Sequence, residues 1–181
     1  MKTKKLSKFL SLILRHRPEV IGIELTAQGW ASIEELLDKM AENGQHYTLK
    51  DIQEVVANND KKRFKISEDG KYIRANQGHS IEVDLGLTPQ IPPEVLYHGT
   101  AQKNLNSIFQ NGLQKRKRAH VHLSKDIATA IKVGSRHGKP VVLKIRSKLM
   151  QEEGFLFYLS ENGVWLTEQI PITYFEIIPN D

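Results

Sequence analysis

Arg118-Ala119-His120-Val121-His122-Leu123-Ser124 is the stretch of this chain whose side chains could do the most chemistry. It follows Lys115-Arg116-Lys117, so a dense positive run leads into alternating polar and apolar residues. In a strand, residues two apart share a face, which points His120 and His122 one way and Val121 and Leu123 the other. An arginine at the entrance, two imidazoles and a serine at the exit suit a phosphate, which binds forked, charged donors well. A half-buried strand behind a solvated basic loop accounts for the same residues. What other elements bring to this place therefore decides the function.

The chain has 181 residues, room for one medium domain or two small ones, and its 39% hydrophobic content is enough for a core. With no cysteine there is no disulfide, no thiolate metal site and no cysteine nucleophile, which fits a reducing, cytoplasmic setting. No apolar run approaches the roughly 18 residues of a membrane span, so no membrane partner is expected. The basic start, Met1 to Lys8, is followed by helically spaced apolar residues broken by Arg15-His16-Arg17, and does not read as a signal peptide. A net charge of +5 favours a polyanionic partner. Monomer is the default expectation for the oligomeric state.

The elements that must position any site read as two groups. Leu6, Phe9, Leu10, Ile13 and Leu14 recur at helical spacing and predict a helix ending near Arg15-His16-Arg17-Pro18. Ser32-Ile33-Glu34-Glu35 reads as a capping box opening a helix to about Met40. Thr48 caps a third, with Leu49, Ile52, Val55 and Val56 as its apolar face. Phe64-Lys65-Ile66, a turn over Glu68-Asp69-Gly70-Lys71 and Tyr72-Ile73-Arg74 predict a hairpin. Helices followed by a hairpin suggest a winged helix. Leu87 to Pro93 holds three prolines and no periodicity, the expected boundary between a lobe over 1–87 and one over 93–181.

The second group predicts strands at Val95–Tyr97, His120–Leu123, Val141–Ile145, Phe155–Leu159, Val164–Leu166 and Tyr174–Ile178. Two helices are expected, Leu105–Asn111 stopped by Gly112, and one capped by Ser124 and running through Ile131. The fold class expected is α+β, with a mainly β second lobe. Glycine-rich phosphate loops, His-Glu-x-x-His and zinc spacings are absent, and no metal is expected.

Four further words accompany the opening one. They are Leu14-Arg15-His16, Lys61-Lys62-Arg63-Phe64-Lys65-Ile66, Arg74-Ala75-Asn76-Gln77-Gly78-His79-Ser80 and Leu96-Tyr97-His98-Gly99-Thr100. Each has an ordinary explanation: cations at a helix C-terminus, a solvated charge, a turn, or a core histidine beside a glycine needed for its backbone angles. Together and in this order, from Leu6 to Ile178, they resemble the RNA 2'-phosphotransferase (KptA) family.

That resemblance implies an N-terminal winged-helix lobe and a C-terminal lobe of the ADP-ribosyltransferase fold. It implies removal of an internal 2'-phosphate from RNA, such as tRNA splicing leaves, with NAD+ as co-substrate. The phosphate attacks the anomeric carbon of the nicotinamide ribose and expels nicotinamide. A ribose hydroxyl then attacks phosphorus, giving 2'-OH RNA and ADP-ribose 1'',2''-cyclic phosphate. The family's catalytic group falls on Arg15, His16, Arg63 and Arg118. Its NAD+ pocket falls on His98, Gly99 and Thr100, with Gly112, His122 and Ser124. RNA contacts are assigned to Gln77, His79, Lys115 and Lys117. These roles demand a site in the cleft between the two lobes.

A phosphate monoester is largely dianionic at neutral pH, its second pKa being about 6, so the first step needs no general base. Glu168 lies near the strand where many ADP-ribosyltransferases carry a glutamate, and is read here as not serving as a base. His16 has two roles open to it, proton transfer and phosphate binding, and His120 stays between pocket and support. The rivals are an ADP-ribosyltransferase that modifies nucleic-acid phosphate ends and stops after one step, and a non-catalytic winged-helix RNA-binding protein.

Overall fold

A computed structural model describes residues 2–179. The chain divides into two compact units, Met1–Gly86 and Leu87–Asp181. Every strand pair among the described residues is antiparallel, and six α-helices accompany them, an α+β arrangement.

The first unit is built on α1 (Lys2–Arg15), whose Leu6, Leu10, Ile13 and Leu14 are buried at the predicted spacing. After it come β1 (Ala31–Ser32), α2 (Ile33–Glu42), α3 (Leu49–Ala57), β2 (Phe64–Ile66) and β3 (Tyr72–Ala75). The α1 stripe packs on Leu36, Met40, Ile52, Val55, Phe64 and Ile73 in one core. Burying each such side chain favours folding by about 1.5–3 kcal/mol. α1 stops where the Arg17 N–H turns back to the Leu12 carbonyl at 2.8 Å and Pro18 begins a short 3-10 turn. That leaves Arg15 in the last helical turn and His16 just beyond it.

Ser32 caps α2 by accepting from the Glu35 N–H. A reciprocal box closes at α3, where Thr48 accepts from the Asp51 N–H and the Asp51 carboxylate accepts from the Thr48 N–H. The hairpin forms as read, with Phe64 opposite Ala75 and Ile66 opposite Ile73. No pattern of residues marks β1, two residues that pair Ala31 with Ile73 and complete the sheet. Two residues are too short to show periodicity.

The second unit begins with the proline-rich segment, which is held by it: the Gln90 N–H donates to the Phe157 carbonyl at 2.8 Å and Ser147 Oγ to the Pro93 carbonyl at 2.7 Å. Its elements are β4 (Leu96–Ala101), α4 (Leu105–Asn111), β5 (Leu113–Gln114), β6 (Val121–Leu123), α5 (Ile127–Gly134), β7 (Pro140–Ile145), α6 (Ser147–Glu152), β8 (Phe157–Leu159), β9 (Trp165–Thr167), β10 (Gln169–Ile170) and β11 (Phe175–Ile178). They make two three-stranded sheets, β11-β7-β4 and β6-β9-β8, and a β10-β5 pair. Leu96, Leu143, Ile145, Leu123, Phe157 and Trp165 share its core.

Three expectations are corrected here. α5 is capped by Asp126, whose carboxylate accepts from the Thr129 N–H at 2.7 Å and from its hydroxyl. Ser124 is unavailable because its backbone bridges to Tyr97. β4 runs on to Ala101, since the register with β7 continues to Pro140, so His98, Gly99 and Thr100 lie on the strand and not after it. A third helix, α6, was hidden in the polar sequence Ser147–Glu152.

Candidate functional site

In the first unit one short segment collects the expected residues. The antiparallel register places Arg63, just before β2, beside Asn76, just after β3, and the Asn76 N–H donates to the Arg63 carbonyl at 2.9 Å. Asn76 Nδ2 also donates to the Lys62 carbonyl at 2.6 Å, fixing the approach to the hairpin where Lys62 adopts φ +42°. Four residues on, the Ser80 N–H donates to the Arg15 carbonyl at 2.8 Å, and Ser80 Oγ lies 2.9 Å from His16 Nδ1. Segment 76–80 therefore fastens Arg63 at one end and Arg15-His16 at the other. Gly78, at φ +88°, runs against the Arg15 guanidinium, where an added Cβ would lie 3.5 Å from its central carbon.

His79 and Gln77 were expected on the RNA. His79 is only 2% exposed, so it does not reach a macromolecular ligand and instead lies beneath the site. Burial first, then the charges of Arg15, His16 and Arg74, hold its pKa down to about 4. The ring is therefore neutral at pH 7 and adds no repulsion to the cations around it. Gly29, at φ +83°, makes room for it: an added Cβ would meet Val83 at 2.9 Å and His79 Nε2 at 3.4 Å. Gln77 is half-buried, and its side-chain oxygen has no protein partner. Arg74 is placed over the Trp30 ring, 4.6 Å from its centroid.

In the second unit the sheet does the collecting. Tyr97 and Ser124 exchange two backbone hydrogen bonds, both 2.8 Å, which joins β4 to the end of β6. The next residue, His98, reaches the His122 carbonyl through Nδ1 at 2.9 Å. A carbonyl only accepts, so Nδ1 carries the proton and Nε2 is the acceptor. Burial lowers the His98 pKa, with the His122 carbonyl opposing and Arg118 assisting. Arg118 Nη1 lies 3.1 Å from His122 Nδ1, and since a guanidinium only donates, that nitrogen is unprotonated. Arg118, His98 and His122 thus form one hydrogen-bonded group, and Arg136 adds positive charge near Arg118.

His120 stays on the face that carries His122, since His122 and Tyr158 are both paired with Leu166 and the His120 ring packs on Tyr158. It precedes the strand and its ring sits 5.5 Å from that of Tyr158, with burial lowering its pKa against the opposing charge of Glu168. Support by ring packing is what the structure gives it. Lys115, assigned to RNA, is engaged by Glu168, Nζ to Oε1 at 2.5 Å, while Lys117 is exposed. The same contact occupies Glu168 and lowers its pKa.

The glycines and Thr100 have packing duties. Gly99 has no unusual backbone angle; an added Cβ would lie 1.7 Å from the Ala130 carbonyl oxygen, so the reason for glycine is the approach of α5 to β4. This replaces the backbone-angle explanation drawn from sequence. Gly112 does need its angles, φ +75° at the end of α4, and a side chain there would strike the Ile170 carbonyl at 2.6 Å. Thr100 is 6% exposed and accepts from Asn104 Nδ2 at 3.3 Å. Among the described residues no helix is long and apolar enough to cross a membrane. Sequence reading missed Asn76, Ser80 and Asn59, which hold the site residues; a polar side chain after a strand carries no signal of what it grips.

The family described as "RNA 2'-phosphotransferase, Tpt1 / KptA family" matches residues 1–169. A probable RNA 2'-phosphotransferase of Acaryochloris marina is 59% identical over 172 residues, 95% of this chain and 95% of that protein. Similar proteins of the same description occur in Hahella chejuensis, 54% identical over 98% of this chain and 95% of its own length, and in Rhodopirellula baltica, 56% identical over 93% and 92%. Matches of this extent, running across both units, make the chain a member of the RNA 2'-phosphotransferase (Tpt1/KptA) family.

Proposed function

We propose that this protein removes an internal 2'-phosphate from RNA in two steps, with NAD+ as co-substrate. The observation that carries the reading is that segment 76–80 fastens Arg15, His16 and Arg63 as one group. A phosphate passing through a crowded, highly charged transition state needs such a cluster of fixed cations. On this reading the first unit is a winged-helix RNA-binding lobe and the second an ADP-ribosyltransferase-like lobe.

The residues of the second unit fit a dinucleotide. His98 offers Nε2 as an acceptor, and Arg118 with Arg136 nearby gives the positive field that a pyrophosphate favours. His98 and His122 would hold it, with Gly99, Thr100 and Gly112 shaping the wall by packing. NAD+ supplies an anomeric carbon with nicotinamide as leaving group. The dianionic phosphate needs no base there, and the engagement of Glu168 by Lys115 agrees with leaving that residue out.

In the second step a ribose hydroxyl gives up its proton as its oxygen bonds to phosphorus, the bond from phosphorus to the RNA 2'-oxygen breaks, and that oxygen takes up a proton. Arg15, Arg63 and Arg118 stabilise the charge on the non-bridging oxygens, each charge-assisted hydrogen bond contributing about 1.5–3 kcal/mol. Ser80 orients the His16 ring through Nδ1, and Nε2 is the atom assigned to moving the proton.

The test is to incubate the protein with a 2'-phosphorylated oligonucleotide with and without NAD+. The expected result is dephosphorylation only with NAD+, with release of nicotinamide and ADP-ribose 1'',2''-cyclic phosphate. Phosphate loss without NAD+ would overturn the mechanism, and ADP-ribosylated RNA as the end product would favour an enzyme that stops after one step.

A further inference from the structure

We infer that a basic groove beside α1 is the track for the RNA backbone flanking the 2'-phosphorylated nucleotide, an inference that rests on the phosphotransferase reading. The groove, about 550 Å³, is lined on one side by Thr3, Lys4, Ser7, Lys8 and Ser11 and on the other by Asn58–Lys61 and Arg63. The α1 residues recur three and four apart, so they form one continuous wall, at 1.5 Å per residue about 12 Å long. The opposite stripe of the helix, Leu6, Leu10, Ile13 and Leu14, is buried in the core, and buried Val55 forms the floor.

Chemistry selects the occupant. Four cations, Lys4, Lys8, Lys61 and Arg63, face one carboxylate, Asp60, with hydroxyls from Thr3, Ser7 and Ser11 between them. Among the described residues no aromatic ring lines the groove, so it offers no platform for stacked bases. Charge and hydroxyls without stacking suit the sugar–phosphate backbone, which is bound without regard to sequence. A membrane surface is disfavoured because the apolar face of α1 is already packed inside the protein.

The groove is built, not incidental. Asn59 Oδ1 accepts from the Lys61 N–H at 3.1 Å and from Arg63 Nη1 at 3.4 Å, so one side chain shapes the wall and steadies the guanidinium. Lys2 is turned away to Asp51 at 3.0 Å. Among the described residues, Lys4 and Lys8 have no carboxylate partner. Arg63, a proposed ligand of the reacting phosphate, lines the same groove, so a strand lying in it brings its 2'-phosphate to that guanidinium.

The test measures binding without NAD+, by fluorescence anisotropy, of an internally 2'-phosphorylated 12-nucleotide RNA and of a 2'-phosphorylated dinucleotide. The Lys4→Gln/Lys8→Gln variant is expected to bind the long RNA about tenfold more weakly. Its salt dependence should flatten by about 1.4 in log–log slope, two contacts at ~0.7 each for a single strand. Dinucleotide binding should stay unchanged. A Lys2→Gln/Lys5→Gln variant removes the same charge from the same helix outside the groove and should lose less than twofold. Equal losses in both variants would reduce the groove to general attraction and overturn the inference, as would equal losses for long and short RNA. Unchanged RNA binding with weakened binding to phosphatidylserine vesicles would reassign the surface to a membrane. Absence of NAD+-dependent dephosphorylation by the unaltered protein is a separate result, and would remove the phosphotransferase reading whatever the binding shows.

Discussion

The two units hold their candidate site residues by opposite means. In the first, Arg15, His16 and Arg63 stand at the ends of α1 and β2 and are fastened by segment 76–80, which has no regular structure of its own. In the second, His98 and His122 lie on strands joined by the Tyr97–Ser124 bridge, with α5 pressed against β4. The two glycines beside these groups show the difference. Gly78 is needed for its positive φ, with ordinary contact distance to Arg15, whereas Gly99 is needed because nothing larger fits under α5. One group of candidate residues depends on backbone conformation and the other on close packing.

Substitution at these glycines should separate the two. Gly99→Ala should be the most damaging change, because backbone atoms of α5 must move by more than an ångström; we expect a loss of about 3 kcal/mol or more in a urea titration. A small effect would mean that α5 yields easily and that the second unit is no more rigid than the first.

Next in size is the pH effect of His79 in the first unit. Native His79 titrates at about 4 and an unfolded histidine near 6.5, so as pH falls the unfolded chain takes up the proton first. The His79 contribution to stability is therefore full above pH 6.5, declines down to about pH 4 and is level below. The whole interval is worth roughly 3 kcal/mol. His79→Gln should abolish that share, so the stability gap between the proteins should narrow as pH falls from 7 to 4. Parallel curves would contradict a buried neutral imidazole beneath Arg15.

Gly78→Ala comes third. Holding an alanine at φ +88° costs about 1–2 kcal/mol, readable by the same titration, and the shift should be smaller than at Gly99. The smallest effect belongs to the Lys115–Glu168 pair. It is exposed, so Glu168→Gln should change stability by less than about 0.5 kcal/mol. Nicotinamide release should stay within about threefold, and a loss of 100-fold or more would make Glu168 a general base after all.

The sequence carried these two designs unequally. The α1 stripe and the hairpin were legible because periodicity and turn residues are local signals, and both formed where expected. The resemblance supplied the candidate residues. Neither source showed how they are held. Asn76 and Ser80 act through contacts 13 and 65 residues away in the chain, to Arg63 and Arg15, which spacing cannot express. Ser124 looked like a cap because serine before a helical pattern usually is one; Asp126 took the position because the backbone of Ser124 was already committed to Tyr97. Gly99 was misread for a similar reason, since a glycine's sequence does not reveal what passes above it.

The proposed function assigns Arg63 and Arg118 to the same phosphate in the second chemical step. Rapid-quench analysis of Arg63→Ala and Arg118→Ala, with 2'-phosphorylated RNA and NAD+, tests it directly. In both variants ADP-ribosylated RNA is expected to accumulate while its conversion to 2'-OH RNA slows by about 10²- to 10⁴-fold, the loss of two charge-assisted hydrogen bonds. Nicotinamide release slowed as much as the second step in either variant, with no intermediate detected, would contradict it.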